Sequence, residues 1–152
     1  MYHRIVRTIV AKTFAHLNRH DYQPVVAQFT PAITHTFAGT HALGGTRRSR
    51  QAAQQWYERL FRLFPDLRFA VQNIMVSGLP GDTRIAVQFR VEVDEVHGKR
   101  VGYSNEVAQF IRLQWGKITE IKLYEDTDKL VDLLAVMRDL GVAEAAAPPI
   151  TD

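Results

Sequence analysis

The feature that most restricts the fold is a run of four strand-like segments with almost no chain between them. Residues 67–78, 83–96, 100–115 and 117–125 are rich in Val, Ile, Phe and Tyr. Pro80-Gly81-Asp82, His97-Gly98 and Gly116-Lys117 separate them at turn-forming residues. Connections this short join antiparallel neighbours only, because a parallel crossover needs about a dozen residues or more. Long strands twist, so the sheet they build must curl. The concave face of a curled sheet needs an apolar cover, and the rest of the chain has to supply it.

Most of that cover is helical. Ile5, Val6, Ile9, Val10, Phe14 and Leu17 recur at helical spacing, and the helix they predict ends near Asn18–Asp21. A short second helix is expected after Asp21, with Pro24 in its first turn. Ile33, His35 and Phe37 alternate with Thr34 and Thr36, so 32–38 reads as a short strand. A loop with Gly39, Gly44 and Gly45 follows. The third helix starts at Ser49 as N-cap, carries the stripe Ala53, Trp56, Tyr57, Leu60, Phe61 and Phe64, and stops at Pro65. A last helix carries Leu130, Leu133, Leu134, Met137 and Leu140, with Gly141 just past its end. The order α-α-β-α-β-β-β-β-α predicts one α+β domain over residues 1–142, a cone-shaped curved antiparallel sheet wrapped around helices. A ligand site belongs in the space between sheet and helices. Residues 143–152, small and Pro-containing, read as a flexible tail.

Composition removes several classes of function. The chain of 152 residues has no cysteine, which excludes disulfides, thiol nucleophiles, iron–sulfur clusters and cysteine-ligated zinc. The expected compartment is cytoplasmic. Arg4, Arg7 and Lys12 interrupt any secretory apolar segment, and the acid-free stretch 1–20 reads as a first helix rather than a transit sequence. The longest apolar run is Leu133 to Met137, so no membrane span is expected. The net charge of +3 is mild. Arg47, Arg48 and Arg50 form the only basic cluster; it reads as a solvated loop, or as a phosphate or acidic-partner site at the helix start. Nucleic acid is not an expected partner. No phosphate loop, dinucleotide fingerprint or nucleophile elbow is present, and no cofactor is expected. His16 and His20 have metal-ligand spacing beside Asp21 but no third ligand, so no metal is expected either.

Four segments, taken in order, carry a family resemblance: His35-Thr-Phe-Ala-Gly39, Gly44-Gly45-Thr46, Leu63-Phe-Pro-Asp-Leu67 and Gly116-Lys-Ile-Thr-Glu-Ile-Lys-Leu-Tyr-Glu-Asp-Thr127. Leu140-Gly141 extends the pattern. Across residues 5–141 the chain resembles the SnoaL-like polyketide cyclase branch of the nuclear transport factor 2-like superfamily. The resemblance implies the cone fold, a hydrophobic cavity and a homodimer through the outer face of the sheet. It also implies an acid/base carboxylate at Asp126 and a functional histidine at His35. Where ketosteroid isomerases carry their tyrosine and general base, this chain has Thr13 or Phe14 and Thr36 or Phe37, so that isomerisation is not expected. The Asp–Arg–Asp set of the epoxide hydrolases would need paired aspartates around Arg90 or Arg112, and none stand at strand positions.

The residues themselves leave alternatives open. Asp126 is either an acid/base group in an apolar cavity or the N-cap of the last helix. His35 is either a proton-transfer or oxygen-binding imidazole or a core side chain. Substrate-binding candidates are Phe37, Trp56, Tyr57, Phe61 and Tyr124, with Tyr103, Asn105 and Gln109 on one strand face. Ser104, Glu106, Ala108 and Phe110 occupy the other face, and alternation does not say which face is inward. The expected chemistry is a cofactor-independent cyclase or isomerase that abstracts a proton next to a carbonyl of a small apolar ligand. The alternative is a non-catalytic ligand-binding or protein-interaction module of the same fold. In the interaction version, Trp56 and Phe64 fill the cavity.

Overall fold

The computed structural model describes residues 1–152. Helices α1 (Tyr2–Asn18) and α2 (Gln23–Val26) lead into β1 (Phe29–Phe37) and a three-residue strand β2 (Gly45–Arg47). Then come α3 (Arg50–Leu63), β3 (Arg68–Leu79), β4 (Asp82–Val96), β5 (Lys99–Gln114), β6 (Lys117–Glu125) and α4 (Thr127–Asp139). No helix is long and apolar enough to cross a membrane.

The six strands form one curved, unclosed sheet in the order β2-β1-β6-β5-β4-β3. Strands β3 to β6 make the expected antiparallel meander. The sheet is not antiparallel throughout, because β1 pairs with β6 in parallel. The chain between those two strands is long enough to bring it back in the same direction. Register shifts at Val71/Asn73, Val93/Glu95 and Arg112/Leu113 bend the long strands and supply the curl. Strand β1 begins at Phe29, earlier than its alternation suggests. Its ladder to β6 slips between Phe29 and Thr34, and Pro31 sits in that slip, where its missing N–H breaks no ladder bond. Strand β2 falls where the sequence predicts a loop, since three residues beginning at a glycine carry no strand pattern.

The inner face of the sheet packs on α1 and α3. Val87, Phe89, Val91 and Val93 of β4, with Val107 and Ile111 of β5, meet Val6, Val10 and Phe14 of α1 and Trp56, Leu60 and Leu63 of α3. Each such side chain stabilises the fold by roughly 1.5–3 kcal/mol of transfer free energy when fully buried. The β5 parity is now fixed: Tyr103, Asn105, Val107 and Gln109 point inward, and Phe110 is 49% exposed on the outer face.

Local signals hold at the helix ends. Ser49 Oγ accepts from the Ala52 N–H at 3.1 Å. Gly141 takes φ +89°, and the N–H groups of Gly141 and Val142 close α4 on the carbonyls of Arg138 and Met137. The C-terminal residues 143–152 pack on the body of the fold. Residues 143–146 form a 3-10 turn with Ala145 buried, and the remainder lies along α3. Arg62 grips Glu144 with two bonds of 2.9 Å, and Arg59 donates to the Pro148 carbonyl at 2.8 Å. The Asp152 carboxylate accepts from the Arg48 N–H and the Ser49 hydroxyl. Composition shows small residues and two prolines; it does not show that charged partners wait on α3.

Candidate functional site

Strand β6 sends Ile121, Leu123 and Glu125 to the inside by simple alternation. Glu125 therefore ends the inward row where the sheet opens. It faces a cavity of about 50 Å³ whose walls include Phe37, Trp56, Phe89, Tyr103 and Leu130. Phe64 also stands in the wall, so aromatic side chains keep the space small. Glu125 is the only charged residue there, and its carboxyl makes no hydrogen bond to the protein. Burial raises its pKa to about 8, and the neighbouring Asp126 charge adds a smaller push.

Tyr103 lies on the same wall. Burial raises its phenol pKa, with the Glu125 charge as the next cause, so it stays protonated at neutral pH. Asn105 sets the direction of that proton. Its Oδ1 accepts from the Asp126 N–H at 3.3 Å and its Nδ2 donates to the Asp126 carbonyl at 2.9 Å, which fixes the amide orientation. The same Nδ2 donates to the Tyr103 oxygen at 2.8 Å. Tyr103 is thus an acceptor toward Asn105, and its own O–H is free to serve another group. A half-buried carboxyl poised near neutrality and an adjacent oriented hydroxyl can move a proton and hold an oxygen.

The remaining candidates fall in different places. Asp126 is exposed and caps α4, accepting from the Lys129 N–H at 3.4 Å, so the cavity-facing carboxyl is its neighbour Glu125. Strand parity separates the two: adjacent residues point to opposite faces. Tyr124 is the other residue of that parity, on the outer face in edge contact with Phe110 at 6.1 Å. Phe61 lies outside the cavity, stacked on His20 at 4.2 Å. His20 also bonds the Leu67 carbonyl, and His16 lies 3.3 Å from Asp21. Tyr57 and Gln109 line a second space of about 40 Å³ beneath α1 and α2. Phe37 and Trp56 line the Glu125 cavity, while Asn105 acts from behind Tyr103.

His35 and Arg47 are both fully buried. His35 lies 4.6 Å from the Trp56 ring and 5.9 Å from Tyr57. Burial, and then the Arg47 charge, hold its imidazole well below the ordinary range, so it is neutral. Arg47 is no solvated loop residue: β2 carries it into the interior, where burial lowers its pKa to about 10. The sequence did hold a signal for Glu125, since it continues the Ile121, Leu123 alternation. It held none for Arg47, whose placement depends on β2.

The fold and this interior define a class: an open α+β cone with an apolar cavity and a few directed polar groups. The model of the SnoaL-like domain matches residues 10–121, and the chain belongs to that family. No curated protein matches it. Among solved structures it is similar to an NTF2-like protein of unknown function from Burkholderia pseudomallei, with 20% identity, a TM-score of 0.70, and coverage of 84% of this chain and 95% of that one. PrhC from Penicillium brasilianum gives 14% identity and a TM-score of 0.74 over 91% of each chain. TerC, co-crystallised with polyporic acid, gives 18% identity and a TM-score of 0.67 over 84% of this chain and 95% of its own. These likenesses establish the NTF2-like fold.

Proposed function

We propose that this protein is a cofactor-independent enzyme of the cyclase or isomerase type that moves a proton at the carbon next to a carbonyl. The observation that carries this reading is a carboxyl with a pKa near 8 opening onto an apolar cavity beside a phenol. Glu125 takes the proton, and Tyr103 donates its O–H to the oxygen on which charge develops. Asn105 keeps that donor turned away from itself. The cavity admits the reacting end of a ligand, and Trp56 or α4 moves to admit the rest.

Exchange of α-protons for deuterium in a panel of apolar ketones, followed by proton NMR, tests this. Wild-type protein should catalyse exchange for at least one ketone, with kcat/KM rising to a plateau above about pH 8. Glu125→Gln should reduce the rate by about 100-fold or more. Asp126→Asn should retain most of it. Full exchange by Glu125→Gln sinks the assignment. The small, almost wholly apolar cavity also favours a second reading, a non-catalytic binder. In that case native mass spectrometry finds a bound ligand that Glu125→Gln still retains.

The outer face of the sheet supports a homodimer, as the family resemblance implies. Met75, Phe110 and Tyr124 are each about half exposed there, an apolar patch that water disfavours. Light scattering should give twice the chain mass, and Phe110→Asp should give a monomer that keeps its far-ultraviolet circular dichroism.

A further inference from the structure

His35 and Arg47 face each other across the β1–β2 ladder, so their side chains leave the same, inner face of the sheet. Both are fully buried. Arg47 Nη2 donates to the carbonyls of Gly44 at 3.2 Å and Gly45 at 2.6 Å. Its Nε and Nη1 have no acceptor, and neither ring nitrogen of His35 has a partner. No carboxylate pairs with the guanidinium. The Asp152 carboxylate acts on it only from a distance; an interior cation with no carboxylate in contact costs several kcal/mol, and unpartnered donors add to that cost.

The Trp56 side chain borders both this pair and the Glu125 cavity. The Trp56 ring lies 4.6 Å from His35, the Arg47 guanidinium carbon sits 5.6 Å from its centroid, and the same indole lines the cavity. A single bond, from Trp56 Nε1 to the Leu43 carbonyl at 2.7 Å, fixes the indole's polar edge. We propose that Arg47 and His35 form a binding subsite for the acidic group, a carboxylate or ionised enol, of an apolar ligand, reached from the Glu125 cavity when the Trp56 indole turns aside. The anion supplies the contact counter-charge that Arg47 lacks, and its oxygens accept from Arg47 and from the neutral His35 ring. The apolar walls take the body of the ligand. This inference rests on the reading of the Glu125 cavity as a ligand site and narrows the ligand to organic acids.

The chain has two tryptophans, and Trp115 is 79% exposed at a hairpin tip. In a Trp115→Phe background, Trp56 alone reports on its surroundings. Titration with 4-phenylbutyrate and its neutral amide, followed by tryptophan emission, should show the acid binding at least tenfold tighter. Arg47→Met should abolish that preference while the amide still binds, and Arg47→Lys should keep part of it. Circular dichroism checks that each variant is folded, and the wild-type pair decides the matter even if Arg47→Met does not fold. Equal binding of acid and amide, binding of neither at millimolar concentration, or a preference that persists in Arg47→Met overturns the proposal. Chloride or acetate binding as tightly as phenylbutyrate also overturns it, because the site would then be one for small ions. Glu125→Gln should keep the acid preference. Loss of ketone exchange as a general property, with the acid preference intact, removes the enzymatic reading and leaves this one standing.

Discussion

Urea unfolding at a series of pH values will show Glu125→Gln gaining stability over the wild type between about pH 5 and about pH 8. The folded Glu125 holds its proton up to about pH 8, while the unfolded side chain releases it near its ordinary value of 4.5. Across that window the unfolded state binds fewer protons, so rising pH favours unfolding. The contribution is fully present below the unfolded pKa and is lost as pH rises through the folded one. The slope reaches about 1.4 kcal/mol per pH unit, and the whole window is worth up to about 4 kcal/mol. Glutamine has the same shape and no charge. The variant should match the wild type near pH 4 and exceed it by several kcal/mol near pH 9. Asp82, Glu106 and Glu144 act in the other direction, held low chiefly by hydrogen bonds from Arg112, Arg90 and Arg62. Their effect falls on the acid side of this window; the depressed His35 acts inside it, and all of these are common to both proteins and cancel in the difference. A difference between Glu125→Gln and the wild type that stays flat from pH 5 to 8 would mean that Glu125 does not hold its proton in this range. The residue proposed to carry the chemistry is therefore one the fold bears at a cost, as expected where a carboxyl is kept in an apolar cavity to tune its proton affinity.

Patterning made the sheet legible and left the site half hidden, for reasons that differ by residue. Long β-rich runs between turn residues determine their own pairing, so β3 to β6 follow from the chain with ends shifted by a residue. The parallel β1–β6 pair was not legible, because pairing between distant strands leaves no local mark. Asp126 drew attention through the family resemblance and its place at a strand end. One residue of parity decides against it: Glu125 continues the inward row, and Asp126 meets solvent and caps α4. On β5, alternation gave two faces and no direction, until Val107 and Ile111 packed on the helices. Tyr124 and Phe61 were aromatic residues near the right elements but on the wrong side of them. Arg47 reads as one of three loop arginines, and only the His35 pairing turns it inward. A buried charge is what composition hides best, since one arginine among 14 looks like any other.

Trp56→Ala should cost less stability than Phe29→Ala, although tryptophan is the larger side chain. Both are buried, at 3% and 0% exposure. Removing a large aromatic side chain from a core costs about 3–5 kcal/mol, part of it for the cavity left behind. The two cavities differ in what borders them. Phe29 belongs to the apolar cluster between β1 and α3, near Tyr57 at 6.2 Å, and the space it leaves is apolar and stays dry. The space left by Trp56 is bordered by the unpartnered nitrogens of Arg47 and His35 and by the freed Leu43 carbonyl. Water entering there makes hydrogen bonds that the intact protein lacks, which offsets part of the loss. Urea midpoints should place Trp56→Ala at least about 1 kcal/mol above Phe29→Ala in stability. His35 gives an independent reading of the same event. Burial is the main cause of its lowered pKa, so hydration should return its titration toward the ordinary imidazole range, with the Arg47 charge still holding it somewhat below. A Trp56→Ala protein whose His35 resonances stay flat across neutral pH, and which loses more stability than Phe29→Ala, would mean that the indole covers a dry and closed wall, with no polar chamber behind it.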